Sequence, residues 1–259
     1  MKKITNEEII EESRKIEKVL NDYFLVEFSK RHNISEKNNL FNLKQEVIAK
    51  KGYFSDVKKK YALHITNEEG VEKDKLFIKG LITQRSDYPS VTKERFMTLI
   101  EMLVKTEKPN FKEIRKFIDD TRMEITKLCK NHDATISRPV SFSKKISEYK
   151  SIPYQVLAMQ LWNECEYNYF SHGTKGKLFS IKGVDMSIAP KKVRDNYEKL
   201  QTSDYIVIPL EMEFLPEYYI VDVKKMVGFA WDERIIEFIR PIVNLIYQKE
   251  ALDNSIVTF

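Results

Sequence analysis

One long helical pattern is followed by three strand patterns with no helix between them, and this limits what the chain can fold into. After Thr5, apolar residues recur as Ile9, Ile16, Leu20, Tyr23, Phe24 and Phe28, the spacing of a single helix face. Thr5 and Glu8 have capping-box spacing, and Ile4 and Ile9 stand where a hydrophobic staple needs them. The helix is expected to fray near Asn33. Then Phe41, Leu43, Gln45, Val47 and Ala49 alternate with Asn42, Lys44, Glu46, Ile48 and Lys50, the period of a strand. A second strand is expected from Lys58 into Tyr61-Ala62-Leu63-His64-Ile65. The polar stretch 66–70 reads as a turn, and Leu76-Phe77-Ile78 as a third strand. With no repeating βαβ rhythm, the pattern predicts an α+β fold with a small antiparallel or mixed sheet.

The texture changes after Gly80. Phe96, Leu99, Ile100 and Leu103 mark a helix, and Asn110 caps another carrying Ile114, Phe117, Ile118, Ile125 and Leu128. Pro153 suits the first turn of a third. Residues 177–222 look strand-like, and a last helix is expected over about 232–248, bending at Pro241. The reading is two domains, 1–80 and 81–259, the second mainly helical with a small β insertion.

Hydrophobic residues make up 42% of the 259, enough for a core. No run of about 18 apolar residues offers a membrane span, and no apolar signal-peptide core follows Met1. Cys129 and Cys165 stand alone, which fits a reducing cytoplasm. His32, His64, His132 and His172 lack ligand spacing, so no protein-built metal site is expected.

Charge is unevenly placed. Residues 44–60 hold six lysines against Glu46 and Asp56, a net +4, whereas residues 211–259 hold five basic against nine acidic residues, a net −4. A basic stripe with an acidic end points to one charged binding face. If the strand begins at Lys58, alternation sets Lys58 and Lys60 about 6–7 Å apart on one face, matching successive phosphates of a nucleic-acid strand. The plainer alternative is an edge strand protected by lysines.

The order of these segments resembles the C-terminal part of family B DNA polymerases, particularly those of large tailed phages. The resemblance rests on a helix, a strand carrying Glu46, Lys58-Lys59-Lys60-Tyr61-Ala62, Lys79-Gly80-Leu81, and Thr83-Gln84-Arg85-Ser86-Asp87-Tyr88-Pro89 entering a helix. The family's KKxYA motif closes the palm near the primer terminus, and a Thr-Gln-x-Ser-like turn then opens the thumb. More loosely, Pro153-Tyr154 with Leu161-Trp162-Asn163, Val207-Ile208-Pro209-Leu210 and Ile239-Arg240-Pro241-Ile242 are similar to later thumb segments. Gln155 and Leu157 stand where the family often has His and Arg. Ser86-Asp87-Tyr88-Pro89-Ser90 resembles the family's Ser-Leu-Tyr-Pro-Ser motif only superficially, because it follows KKxYA instead of preceding it. It reads as the thumb-opening turn, with Pro89 starting a helix. The family's Tyr-Gly-Asp-Thr-Asp stretch and its triphosphate-gripping helix are missing from these 259 residues.

The resemblance implies either a naturally split polymerase whose C-terminal piece is its own polypeptide or a fragment of a longer protein, in the host cytoplasm if phage-encoded. Lys58, Lys59, Lys60, Tyr61, Gln84, Arg85 and Ser86 would contact primer–template DNA, with Tyr61 packing under the strand or stacking and Arg85 a phosphate contact or an ordinary surface cation. Glu46 would be an auxiliary catalytic carboxylate, or a neutralising partner for Lys44 or Lys58. Mg²⁺ would be held mainly by an upstream polypeptide carrying the exonuclease, fingers and catalytic palm. Tyr167, Tyr169 and Phe170 read as core before base-stacking platform. Ile256, Val257 and Phe259 would dock on a sliding clamp or fold back on the thumb. The rival reading is a non-enzymatic DNA-binding replication accessory protein.

Overall fold

Thr5 starts the first helix as its sequence predicts. In the computed structural model, which describes residues 4–38, 40–197 and 203–242, the Thr5 hydroxyl accepts from the Glu8 N–H at 3.3 Å. Glu8 Oε2 in turn accepts from the Thr5 N–H at 3.0 Å, so two helix-start donors are satisfied reciprocally. Helix α1 (Asn6–Tyr23) continues through a π-helical turn (Phe24–Phe28) into a short α2 (Ser29–Arg31). Asn33, at φ +56°, stops it in the left-handed region. Ile4 stays 69% exposed, so the expected staple does not bury it.

Three strands follow, β1 (Val47–Phe54), β2 (Tyr61–Glu68) and β3 (Val71–Lys79), side by side in chain order. Connections this short can only join antiparallel neighbours. Glu69 (φ +52°) and Gly70 (φ +87°) both turn left-handed, the tight hairpin geometry whose twist matches the strands. Asn67 Oδ1 holds it by accepting from the Gly70 N–H at 2.9 Å. Helix α1 is tied to the strand segment by polar bonds. The Asn21 amide brackets the Leu43 backbone at 2.8 and 2.7 Å, and the Gln45 N–H donates to Glu17. The predicted first strand begins six residues late, at Val47, because residues before it spend their backbone groups on α1 and not on a neighbouring strand.

Contacts divide the chain into two compact units, residues 1–53 with 61–78, and residues 54–60 with 79–259. The β1–β2 turn therefore groups with the second unit. There, Pro89 caps α3 (Ser90–Val104), and Asn110 caps α4 (Phe111–Lys130) by accepting from the N–H groups of Lys112 and Glu113 at 3.1 and 3.4 Å. Pro153 caps α5 (Tyr154–Cys165). Helix α6 is Lys191–Tyr197, and α7 (Val223–Val227) runs through a π-helical turn (Gly228–Asp232) into helical residues 233–242. Phe96 meets Trp231 edge-on at 5.1 Å and Phe238 at 5.6 Å, which packs α3 against this last segment. Pro241 lies inside that helical stretch, and the rest of the expected last helix lies outside the described residues.

A second sheet fills the unit's centre. Strand β5 (Lys175–Val184) pairs antiparallel with β4 (Arg138–Ser141), β6 (Tyr205–Pro209) and β7 (Tyr219–Val221). Leu178, Phe179, Ser180 and Ile181 are all buried without alternation, the pattern of a strand covered on both faces. Helix α5 packs on β6 and α7 on β5. The molecule is thus an α+β fold with two small sheets. Burial pushes both the Cys129 and Cys165 thiols up to about 12, which leaves them inert at neutral pH. Among the described residues no helix is long and apolar enough to cross a membrane.

Candidate functional site

The turn between β1 and β2 corrects the expected placement of the lysines. The strand starts at Tyr61, not Lys58. Lys58 and Lys59 form the turn itself, with Lys59 left-handed at φ +63°. The Lys60 N–H donates to Val57 O at 3.3 Å, and Lys60 O accepts from the Ser55 N–H at 3.0 Å. A chain reversing this tightly cannot also alternate, so the strand-face spacing of Lys58 and Lys60 does not apply. The reversal needs Gly80 as well. Gly80 sits at φ +67°, and a Cβ there would lie 2.4 Å from Lys59 O. Only a residue without a side chain lets the backbone pass so close.

The three lysines then part company. Lys58 and Lys59 are exposed, and among the described residues no ion pair engages either ammonium group. Lys60 is half-buried, and its Nζ donates to Glu237 Oε1 at 2.9 Å. The Lys60 hydrogen bond, more than any other influence, holds the Glu237 carboxyl below its ordinary 4.5. Glu237 Oε2 accepts from Arg234 Nη1 at 3.2 Å, while Arg234 Nη2 donates to Glu233 at 2.7 Å.

Arg234 leads to an aromatic stack. The rings of Tyr88 and Phe229 lie parallel, 5.5 Å apart at an angle of 5°. The Arg234 Cζ lies 5.6 Å from the Tyr88 centroid and 5.8 Å from that of Phe229. Arg85 sits 5.3 Å over Tyr88, and Arg138 sits 5.2 Å over Phe229. Guanidinium planes favour such rings electrostatically. Asp87 grips Arg85 through two bonds of 2.9 and 2.8 Å, which depresses the Asp87 carboxyl and raises Arg85. Arg138 Nη2 reaches the same carboxylate at 4.0 Å.

This arrangement collects Lys58, Lys59, Lys60, Arg85, Arg138 and Arg234 against Asp56, Asp87, Glu233 and Glu237, a net +2 within one unit. Asp87, Glu233 and Glu237 are consumed in fixing Arg85, Arg234 and Lys60. The two exposed turn ammonium groups remain for a partner. A rigid array of this kind suits a polyanion with regularly spaced charge.

Of the residues singled out by sequence, Lys60 and Arg85 meet in this network, with Gln84 and Ser86 exposed on either side of Arg85. Glu46 and Tyr61 belong to the first unit. Glu46 is exposed, and its carbonyl accepts from the Glu69 N–H at 2.9 Å; Lys44 pairs with Glu69 at 3.6 Å. Tyr61 lies 6.1 Å from Phe77. Phe170 is buried, while Tyr167 is 48% exposed. Ile256, Val257 and Phe259 lie outside the described residues. Sequence reading missed Arg138, Arg234, Phe229 and Glu237. Among the described residues no three His, Cys, Asp or Glu side chains are grouped to hold a metal ion.

No family model matches the chain, and no curated protein does. Among solved structures it is similar to the family B DNA polymerase from the hyperthermophilic archaeon Pyrobaculum calidifontis, at 18% identity and a TM-score of 0.48. The likeness covers 84% of this chain and 23% of that one, so the chain spans under a quarter of that polymerase. A likeness at this level carries no argument about activity.

Proposed function

We propose that the chain grips primer–template DNA as the palm end and thumb of a family B DNA polymerase. The family's metal-binding aspartates lie outside these 259 residues. The order of the sequence motifs supports this reading. Its main support is the convergence of Arg85, Arg138 and Arg234 on one stacked aromatic pair, to which the lysine turn is linked through Lys60, Glu237 and Arg234. In this reading Lys58 and Lys59 contact phosphates, and Lys60 positions the turn by pairing with Glu237. Such contacts fix position and carry no base preference, as a polymerase requires.

The test is anisotropy of a labelled primer–template duplex over a range of salt. Lys58→Gln with Lys59→Asn removes both charges, and Asn tolerates the left-handed backbone that Lys59 occupies. The slope of log K against log salt should fall by about 0.9 for each phosphate no longer neutralised, about 1.8 for the pair. The weakening should be equal on unrelated sequences. An unchanged slope removes the assignment. Adding a polypeptide that bears the family's aspartates should restore primer extension with Mg²⁺. Duplex binding without restored extension would favour the accessory-protein reading.

A further inference from the structure

A cavity of about 590 Å³ opens in the second unit, within the range of small-molecule sites. Leu178 and Ser180 of β5, Tyr154 of α5, Tyr205 of β6 and Phe229 line it, with cations and carboxylates from its rim. The Tyr154 and Tyr205 rings lie 4.7 Å apart at 42°. Arg138 Nη1 donates to the Tyr154 hydroxyl at 2.8 Å, and Lys225 is held by Asp204 at 2.9 Å. Lys224 is exposed, and among the described residues no ion pair engages it.

Two buried polar groups on this lining lack a partner. Ser180 is 4% exposed and its hydroxyl bonds to nothing in the protein, and the same holds for Arg138 Nε. Buried groups of this kind are normally satisfied, so each one calls for an explanation. A bound molecule presenting acceptors would supply it. The cavity also carries Asp222, whose Oδ1 accepts from the Lys225 N–H at 3.1 Å, and Glu233, which is tied to Arg234. Three cations against two carboxylates leave it only +1, too little for a bare anion trap. Aromatic rings beside a weakly cationic rim fit a planar ring that carries an anion.

We propose that this cavity binds a nucleotide, its base against Tyr154 and Tyr205 and its phosphate toward Arg138 and Lys224. The proposal rests on the DNA-binding reading only for its source, which is a free nucleotide or an unpaired nucleotide of a strand. The probes are dAMP, inorganic phosphate and a short single-stranded oligodeoxyadenylate, titrated into the full chain by calorimetry. dAMP should bind, and phosphate alone should bind at least about tenfold more weakly, since base stacking is lost.

Tyr205→Leu should weaken dAMP binding by about tenfold. Lys224→Gln, on an exposed side chain that cannot disturb folding, should weaken dAMP but not deoxyadenosine. A tighter oligonucleotide than dAMP identifies a strand as the source, and equal affinity identifies the free nucleotide. The Lys58→Gln, Lys59→Asn variant must keep dAMP binding, which separates this site from the duplex grip. Absence of dAMP binding overturns the proposal, as does binding indifferent to both Tyr205→Leu and Lys224→Gln.

Discussion

Gly80 is the residue on which the lysine turn depends most directly. Its left-handed φ of +67° and the 2.4 Å approach of Lys59 O to a hypothetical Cβ are separate penalties. Gly70 offers the comparison, with φ +87° and nothing within 4 Å of the same hypothetical atom. Gly70→Ala should therefore cost only the conformational part, about 1–2 kcal/mol. Gly80→Ala should cost more, about 3 kcal/mol or above once the clash is added. Urea denaturation of the two variants measures the difference. Equal losses would mean that the Lys59 turn moves aside freely, and the fixed direction of its ammonium groups would then fail as an argument.

At the scale of elements, Glu166 at the end of α5 fastens β7. Its Oε1 accepts from the Tyr218 hydroxyl at 2.7 Å and the Tyr219 hydroxyl at 2.9 Å. Tyr219 is fully buried, and burial drives its phenol far above the usual range. Glu166→Ala leaves that hydroxyl unsatisfied and should cost about 1–3 kcal/mol. Tyr219→Phe in the Glu166→Ala background should recover part of the loss, because the stranded donor is then gone. A thermal-melt double-mutant cycle reads the coupling, and strict additivity would show that the two elements are held by packing alone.

The elements themselves were unequally legible. Caps at Thr5 and Asn110 could be read because their signals are local. Strand β4, Arg138-Pro139-Val140-Ser141, could not, since four residues with a proline read as loop. Helix α6 carries one buried apolar residue, Val193, and so shows no period. In the candidate site the charge of Lys58 and Lys59 was plain, but the turn was not. The alternation beginning at Tyr61 extends backward on paper, and only chain reversal ends it. Nothing in sequence links Arg138 or Arg234 to Arg85, because the Tyr88–Phe229 stack that gathers them is a tertiary contact.

Within the second unit, the lysine turn and the described part of the acidic stretch are not independent. Glu233 and Glu237 come from the acidic stretch, and they neutralise Arg234 and Lys60 at the root of the stripe. The coupling has a pH signature. Lys60 chiefly, with Arg234, keeps Glu237 below its ordinary 4.5. A depressed carboxyl adds stability that is complete above the unfolded value, and the gain is lost as pH falls through the folded one. Lys60→Met should therefore destabilise the protein at pH 7 by about 0.5–1 kcal/mol, the range of a partly exposed pair. The gap from the parent protein should be complete above the unfolded carboxyl's range and close as pH falls through the depressed folded one. Urea midpoints at pH 7 and pH 3 decide it. A gap that persists at pH 3 would mean that Lys60 contributes through its buried stem, and the acidic end would then have no electrostatic hold on the turn.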